Sequence, residues 1–269
     1  MRARPAADAV TAPGVLWARS VGVVLWRGNL RTLRFPGLVF VVAFFPILFL
    51  VAYTGLYPEL TDVPGFPTDS FENWIVPFTV LQGAAFSGLG AGFMAGSDID
   101  TGFIDRLLLM PTRRSAIYVG TVLMAVVRAL LVGLPVFVIG LALGAEANGG
   151  LAGFLLLGLA VAGTSVMSSS FSLGVIYRVR DQRVAPLFQI VIFVGLFTST
   201  AQVPLAVATG WLHEVARFNP VTQVLRLGRQ ATLESGVTWS DTWPGLAVLA
   251  VCMSGLAWFA LRGLRRLVR

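Results

Sequence analysis

The sequence contains no lysine: all twenty of its basic residues are arginines. The phosphate-cradling G-x-x-x-x-G-K-[ST] loop needs its lysine, so this chain is not itself a P-loop ATPase. Any nucleotide-driven work must come from a separate partner. Cysteine and histidine occur once each, as Cys252 and His213. One of each builds neither a disulfide framework nor a Cys/His metal cluster, and Cys252, inside an apolar run, reads as a small hydrophobic filler. Charge is scarce as well: 12% of residues are charged and 56% are hydrophobic, against about 25% charged in an ordinary soluble domain. That is the composition of a membrane protein. The net charge of +7 raises nucleic acid as a partner, but the arginines are placed as a membrane protein places them, and no nucleic acid is expected.

Residues 1–35 lack the early apolar core and small-residue cleavage site of a secretory signal, and are expected to be retained as an N-terminal arm. Within the arm, Arg27, Arg31 and Arg34 fall at i, i+4, i+7, while Trp17, Val21, Val24 and Leu25 share the opposing stripe. This is the pattern of a helix lying in the membrane interface; a solvated basic tail is the alternative. Six runs then offer the roughly 20 apolar residues that a helix needs to cross a hydrocarbon core: 36–57, 74–96, 116–143, 150–177, 184–203 and 243–261. They predict an all-α transmembrane domain over 36–261, followed by a basic tail, 262–269.

Sixteen of the twenty arginines lie in the arm, in the second-to-third and fourth-to-fifth connections, and in the tail. The opposite loops hold only Arg217, Arg226 and Arg229. By the positive-inside rule both termini are expected in the cytoplasm. The first outer loop, with Glu59, Asp62, Asp69 and Glu72 and no basic residue, agrees. Between the fifth and sixth spans, 204–220 is semi-apolar but too short to cross twice. It reads as a short external helix or shallow re-entrant hairpin anchored by Trp211, with a plain loop as the alternative.

The charged stretch SDIDTGFIDRLLLMPTRR, starting at Ser97, interrupts two apolar runs. Ser97 and Asp100 match an [ST]-x-x-[DE] capping box, which predicts a helix start there. Phe103, Leu107 and Met110 recur at i, i+4, i+7 with Ile104 and Leu108 beside them, while Thr101, Asp105 and Arg106 take another face, and Pro111 ends the pattern. The expected unit is an amphipathic helix of about three turns, too short to span. It either floats in the headgroups or is presented to a soluble partner.

The phrase from Asp100 to Arg114, DTGFIDRLLLMPTRR, resembles the cytoplasmic segment after the second helix in ABC-2 type transporter permeases, especially the daunorubicin-resistance-like permeases of actinobacteria. Asn219-Pro220 followed by Arg226 resembles the Asn-Pro and later arginine that this family carries between its fifth and sixth helices. The resemblance implies six spans, an N-terminal interfacial helix and a helical hairpin outside before the last span. It also implies a dimer with a second copy or a homologous permease, and a separate ATPase subunit that binds ATP and Mg, so that this chain needs no cofactor of its own. On this resemblance residues 97–111 form the coupling helix, with Asp98, Asp100, Thr101, Gly102, Phe103, Ile104, Asp105, Arg106, Leu107, Leu108, Met110 and Pro111 facing the ATPase, and Arg113 and Arg114 hold its exit at the headgroups.

Arg128 falls about a dozen residues into the third span, near the bilayer centre, where an arginine costs about 2.5–3.5 kcal/mol on insertion scales. It must face protein or a wet cavity, as a contact for an anionic group or as a link to a carbonyl or acid. Gln82, Gln189 and Gln202 are further polar groups within spans. Thr164, Ser165, Ser168, Ser169, Ser170 and Ser172 line the fourth span, either along a pathway or bonded to their own backbone. Ala84, Gly88, Gly92 and Gly96 recur every four residues, a small-residue stripe that lets helices approach closely.

The reading that follows is the permease of an exporter for an amphipathic small molecule, drug or lipid in the cell membrane. A polysaccharide or glycolipid exporter shares the architecture. A polytopic enzyme on lipid-linked substrates would need paired acid/base groups, and Asp98 and Asp100, two apart on a helix, do not face each other. A membrane assembly factor without transport is a third reading.

Overall fold

A computed structural model describes residues 13–34, 36–108 and 113–267. Met110 and Pro111 lie outside the described residues. Those described are helical with no strand among them: α1 (Pro13–Arg34), α2 (Pro36–Leu56), α3 (Phe71–Asp100), α4 (Phe103–Leu108), α5 (Ser115–Ala142), α6 (Gly150–Val179), α7 (Ala185–Phe197), α8 (Gly210–Phe218), α9 (Pro220–Arg229) and α10 (Trp239–Arg266). Five of them, α2, α3, α5, α6 and α10, are long and apolar enough to cross a membrane.

The fold is organised around α3. Within its spanning window 89% of residues are buried, against 17% in α2 and in α10, so α3 is the axis and the others are its jacket. Helices α5 and α6 flank it, α2 lies against α3 and α5, and α10 covers α6. The outer faces carry Phe40, Phe44 and Leu48 on α2, Leu130, Leu134 and Val138 on α5, and Leu187, Ile190 and Val194 on α7, all exposed. An apolar surface this continuous is stable only against lipid.

What lets α6 approach the axis is the small-residue stripe. A Cβ on Gly88 would come within 2.7 Å of the Ser165 carbonyl oxygen, and one on Gly92 within 2.5 Å of Ser172 Cβ. Ala84 is fully buried on the same helix, and Gly96 faces Ile176 and Gln182. The stripe of α3 therefore meets the serine stripe of α6, two rows of small residues in direct contact. Because the obstacle at Gly88 is backbone, it cannot rotate away. Gly88→Ala is expected to destabilise the bundle by about 2 kcal/mol, read as a lowered midpoint of denaturant unfolding in detergent. An unchanged midpoint would show that the two helices are not in contact there.

Exposed tryptophans mark two levels. Trp211, Trp239 and Trp243 lie at one end, Trp26 and Trp258 at the other. Trp239 to Trp258 is roughly 28 Å along α10 at the helical rise, close to the thickness of a hydrocarbon core of about 30 Å. Both levels read as aromatic belts. The end carrying α4 also gathers α1 and the last turn of α10: Tyr177 of α6 lines a cavity with Arg27 and Asp98, and Arg180 donates to the Arg266 and Leu267 carbonyls at 3.1 and 2.8 Å.

Two expectations need correction. The run 184–203 is not one long helix: α7 ends at Phe197, and 198–209 is irregular. The cause is distant in sequence. Asn219 Nδ2 donates to Gly195 O at 2.7 Å and Thr198 Oγ1 at 3.0 Å, and Arg229 takes the carbonyls of Thr200 and Ala201. These acceptors would serve a continuing helix; side chains of α9 and its entry capture them instead. The second correction concerns Ser97 and Asp100, which do not start a helix. They form the last turn of α3, closed by Thr101 N and Oγ1 on Ser97 O at 3.1 and 2.9 Å. The break comes at Gly102, whose φ of +64° is a left-handed conformation that glycine adopts without strain.

Candidate functional site

The short helix α4 begins directly after the Gly102 turn, and one arginine ties it to its surroundings. Arg27 of α1 lies with its guanidinium 3.7 Å from the centroid of the Phe103 ring, and its Nη2 is 3.3 Å from Asp98 Oδ1. The arginine thus bridges the last turn of α3 and the first residue of α4. Both its contacts are partly exposed, so each is weak alone; their value is geometric. Ile104 turns inward, 3% exposed, in the cluster that holds Ala95, Tyr118 and Tyr177. Phe103 and Leu107 are half-buried, while Asp100, Thr101 and Arg106 are exposed. The expected apolar face is thus split, with Ile104 anchoring the helix and Phe103 and Leu107 nearer the surface. The side chains of Asp105 and Leu108 are outside the description.

Helix α1 sits close enough to act through Arg27 because two glycines allow it. Gly28 faces Met124 of α5, and a Cβ on Gly120 would fall 2.7 Å from Val24 Cβ. Trp17 Nε1 donates to Ser115 Oγ at 3.0 Å. Between α1, α3, α4 and α5 remains a cavity of about 80 Å³ lined by Arg27, Asp98, Ile104, Leu107, Thr121 and Tyr177 among others. Arg113 and Arg114, exposed at the start of α5, complete this end.

Inside the bundle the polar groups divide. Arg128 Nη2 donates to Ser87 O of α3 at 2.6 Å, against Gly90, where a Cβ would lie 3.0 Å from its Cζ. Among the described residues its Nε has no partner. Ser168 Oγ bonds Thr164 O and Ser165 O at 2.9 and 3.3 Å, and Ser169 Oγ bonds Val166 O at 3.2 Å, the backbone arrangement on their own helix. Gln82 is fully buried, and neither of its amide atoms is bonded among the described residues. Gln189 is exposed on α7, and Gln202 Nε2 reaches Tyr53 OH at 3.4 Å. These groups do not converge on one point. An apolar chamber of about 220 Å³ lies between α3, α6, α7, α9 and α10, lined by Leu81, Thr164, Met167, Ser168, Phe171 and Val224 among others.

The far end joins the motif residues Asn219, Pro220 and Arg226 to one the motif leaves out, Arg229. Asn219 is a double cap, with Oδ1 accepting from Val221 N at 2.9 Å while Nδ2 closes α7; Pro220 follows at the first position of α9, where a missing N–H costs nothing. Arg226 forms an ion pair with Asp241 of α10. Arg229 is the surprise, at 1% exposed. It donates from Nε to Trp74 O at 3.2 Å, from Nη1 to Thr200 Oγ1 at 3.4 Å, and from Nη2 to Thr200 O and Ala201 O at 2.6 and 2.9 Å. Its guanidinium also stacks 3.2 Å from the Trp74 ring centroid. Nothing in its local sequence separates it from Arg226; its partners are 28 to 155 positions away.

Next to it, Glu234 accepts from Thr68 Oγ1 at 2.8 Å and Asn73 Nδ2 at 2.9 Å. Desolvation would raise the Glu234 carboxyl, but the bonds from its own backbone, Thr68 and Asn73 outweigh it and hold the group below its ordinary value. Asn73 also accepts from Glu146 N at 2.7 Å, so this loop, the start of α3 and the α5–α6 turn are stapled together.

Residues 19–233 match the ABC-2 type transporter family. Among curated proteins the chain is similar to the daunorubicin resistance ABC transporter permease protein DrrB1 of Streptomyces coeruleorubidus, 28% identical over 211 residues, which is 77% of this chain and 72% of that protein. With that match extending over most of a multi-pass, lipid-facing helical bundle, the chain belongs to the ABC-2 type transporter family and is a non-catalytic membrane subunit of an ABC transporter.

Proposed function

We propose that this subunit forms the pathway of an exporter for amphipathic small molecules, drugs or lipids, driven by a separate ATPase that binds ATP and Mg. The observation that carries the coupling is α4: a short helix set off by the Gly102 turn at the arginine-rich end, held through Arg27, with Phe103 and Leu107 near the surface. A soluble partner that engages this segment pushes directly on α3 and α1. We take residues 97–111 as the coupling segment, Ser97–Asp100 contributing as the end of α3.

The cargo reading rests on the chamber between α3, α6, α7, α9 and α10. Of its lining only Phe171 is aromatic, whereas a sugar path favours stacked aromatic rings. An apolar wall with two hydroxyls fits an amphiphile better than a polysaccharide, and the similar permease is named for daunorubicin resistance. Val191, Ile192 and Gly195 of α7 form one wall of the chamber, and a second permease, another copy or a homologue, packed on α7 would close it. We take α7 with the turn Gln182–Val184 before it and the segment after it as a short, broken fifth crossing, which brings the total to six, about 24 Å over its sixteen helical residues. Such breaks are tolerated where protein side chains satisfy the freed carbonyls, and this topology puts both termini in the cytoplasm, as the arginine count expects.

Purification of the tagged chain tests the reading. An ATPase subunit encoded beside it is expected to co-purify, and its hydrolysis in lipid nanodiscs to rise on adding an amphiphile such as daunorubicin. Absence of any bound ATPase, or stimulation by a polysaccharide alone, would overturn it.

A further inference from the structure

The three arginines that the arginine count leaves on the far side, Arg217, Arg226 and Arg229, line one cavity. It measures about 580 Å³ and is walled by Trp74, Thr200, Thr222, Gln223 and Gln230 in addition to the arginines. The one carboxylate in that wall is Asp241, which Arg226 engages. Glu234, although flanked by the lining residues Leu233 and Ser235, turns to Thr68 and Asn73 instead. Among the described residues Arg217 makes no ion pair, and its guanidinium lies 5.7 Å from the centroid of its neighbour Phe218. The wall is therefore cationic, with hydroxyl and amide groups between the charges.

The depth of this cavity is fixed by a separate observation. On α8, Trp211, Val215 and Phe218 recur at i, i+4, i+7, and all three are exposed, Phe218 at 78%. An exposed apolar stripe on a nine-residue helix lies flat on a membrane, with its rings in the acyl boundary. Trp239 and Trp243, exposed at the start of α10 on either side of Asp241, mark the same level. The cavity mouth thus stands among lipid headgroups, and Arg217, next to the stripe, sits where a lipid phosphate lies.

We propose that the cavity formed by Arg217, Arg226 and Arg229 binds the anionic phosphate headgroup of a phospholipid at this membrane surface. Arg217 and Arg226 supply exposed forks for the phosphate oxygens. Arg229, engaged with the Trp74, Thr200 and Ala201 carbonyls and with Thr200 Oγ1, adds fixed positive charge at the floor, and Gln223, partly exposed in the wall, offers a neutral partner to the glycerol. The excess of arginine over carboxylate favours phosphatidylglycerol over zwitterionic phosphatidylcholine. The site is distinct from the chamber beside α7 and does not depend on what the transporter carries.

Native mass spectrometry of the full chain released from detergent tests it, with phosphatidylglycerol, phosphatidylcholine and inorganic phosphate as probes. The natural chain is expected to retain phosphatidylglycerol in preference to phosphatidylcholine. The double variant R217Q/R226Q should weaken retention about tenfold. The matched pair R265Q/R266Q at the opposite end should leave it unchanged. Because Arg226→Gln also breaks the pair with Asp241, Arg217→Gln alone, which has no ion pair to lose, should still weaken retention about threefold. Equal retention in R217Q/R226Q, an equal loss in R265Q/R266Q, or stabilisation by inorganic phosphate with no lipid retained would each overturn the assignment.

Discussion

Phe103→Asp is expected to abolish substrate-stimulated ATP hydrolysis and to lower export about tenfold or more, a barrier change above roughly 1.4 kcal/mol, while insertion and assembly with the ATPase persist. The substitution removes the ring beneath Arg27 and sets a second carboxylate beside Asp98, so that the arginine is shared between two acids and the first turn of α4 loses its apolar seat. Leu107→Asp, one turn on, should act in the same direction. Phe103→Tyr keeps the ring under the guanidinium and should retain most of the activity, which separates loss of the contact from general damage. Stimulated hydrolysis and export in proteoliposomes are the readouts. Normal values for Phe103→Asp would remove α4 from the coupling path.

The second large effect concerns stability. Arg229→Leu should destabilise the bundle by about 4 kcal/mol, seen as a lowered unfolding midpoint and poor accumulation in the membrane. Leucine fills part of the volume but takes the guanidinium donors from the buried carbonyls of Thr200 and Ala201 and one donor from Trp74 O. Arg229→Lys keeps the charge but replaces a planar fork with a single point donor, and should recover only part of the loss. It also forfeits the stacking on Trp74. A midpoint unchanged in Arg229→Leu would show that α7 ends for reasons other than the capture of its carbonyls.

These two sites differ in how far the sequence revealed them. The five long helices α2, α3, α5, α6 and α10 were legible because hydropathy over twenty residues is a local property, and their ends fall within five residues of the expected ones. The small-residue stripe was legible for the same reason: a four-residue period on one helix names a face, although not its partner. The end of α7 was not legible. Hydropathy runs on through Val203, while the groups that stop the helix are side chains at 219 and 229, and no window short enough to measure apolarity includes both. Ser97 and Asp100 misled because a three-residue spacing suits a helix interior as well as a cap; the decisive residue was Gly102, whose left-handed backbone is common in glycine but not required of it. Phe103 was visible as a helix face, but Arg27 beside it was read only as part of the polar stripe of an interfacial helix, since a sequence stripe cannot tell headgroups from a neighbouring aromatic ring.

Helix α3 links the two sites. It runs thirty residues without interruption, roughly 45 Å at the helical rise, from Trp74 in its first turn, stacked on Arg229, to Asp98 in its last, paired with Arg27. Near its middle it bears on α6 through Gly88, where neither helix has a side chain to spare. The Arg27 bridge and the Arg229 stack are therefore the two ends of one continuous helix, so a displacement carried along α3 would reach both, and Pro77, which lacks the N–H that would tie it to the preceding turn, lies one turn from the Trp74 end.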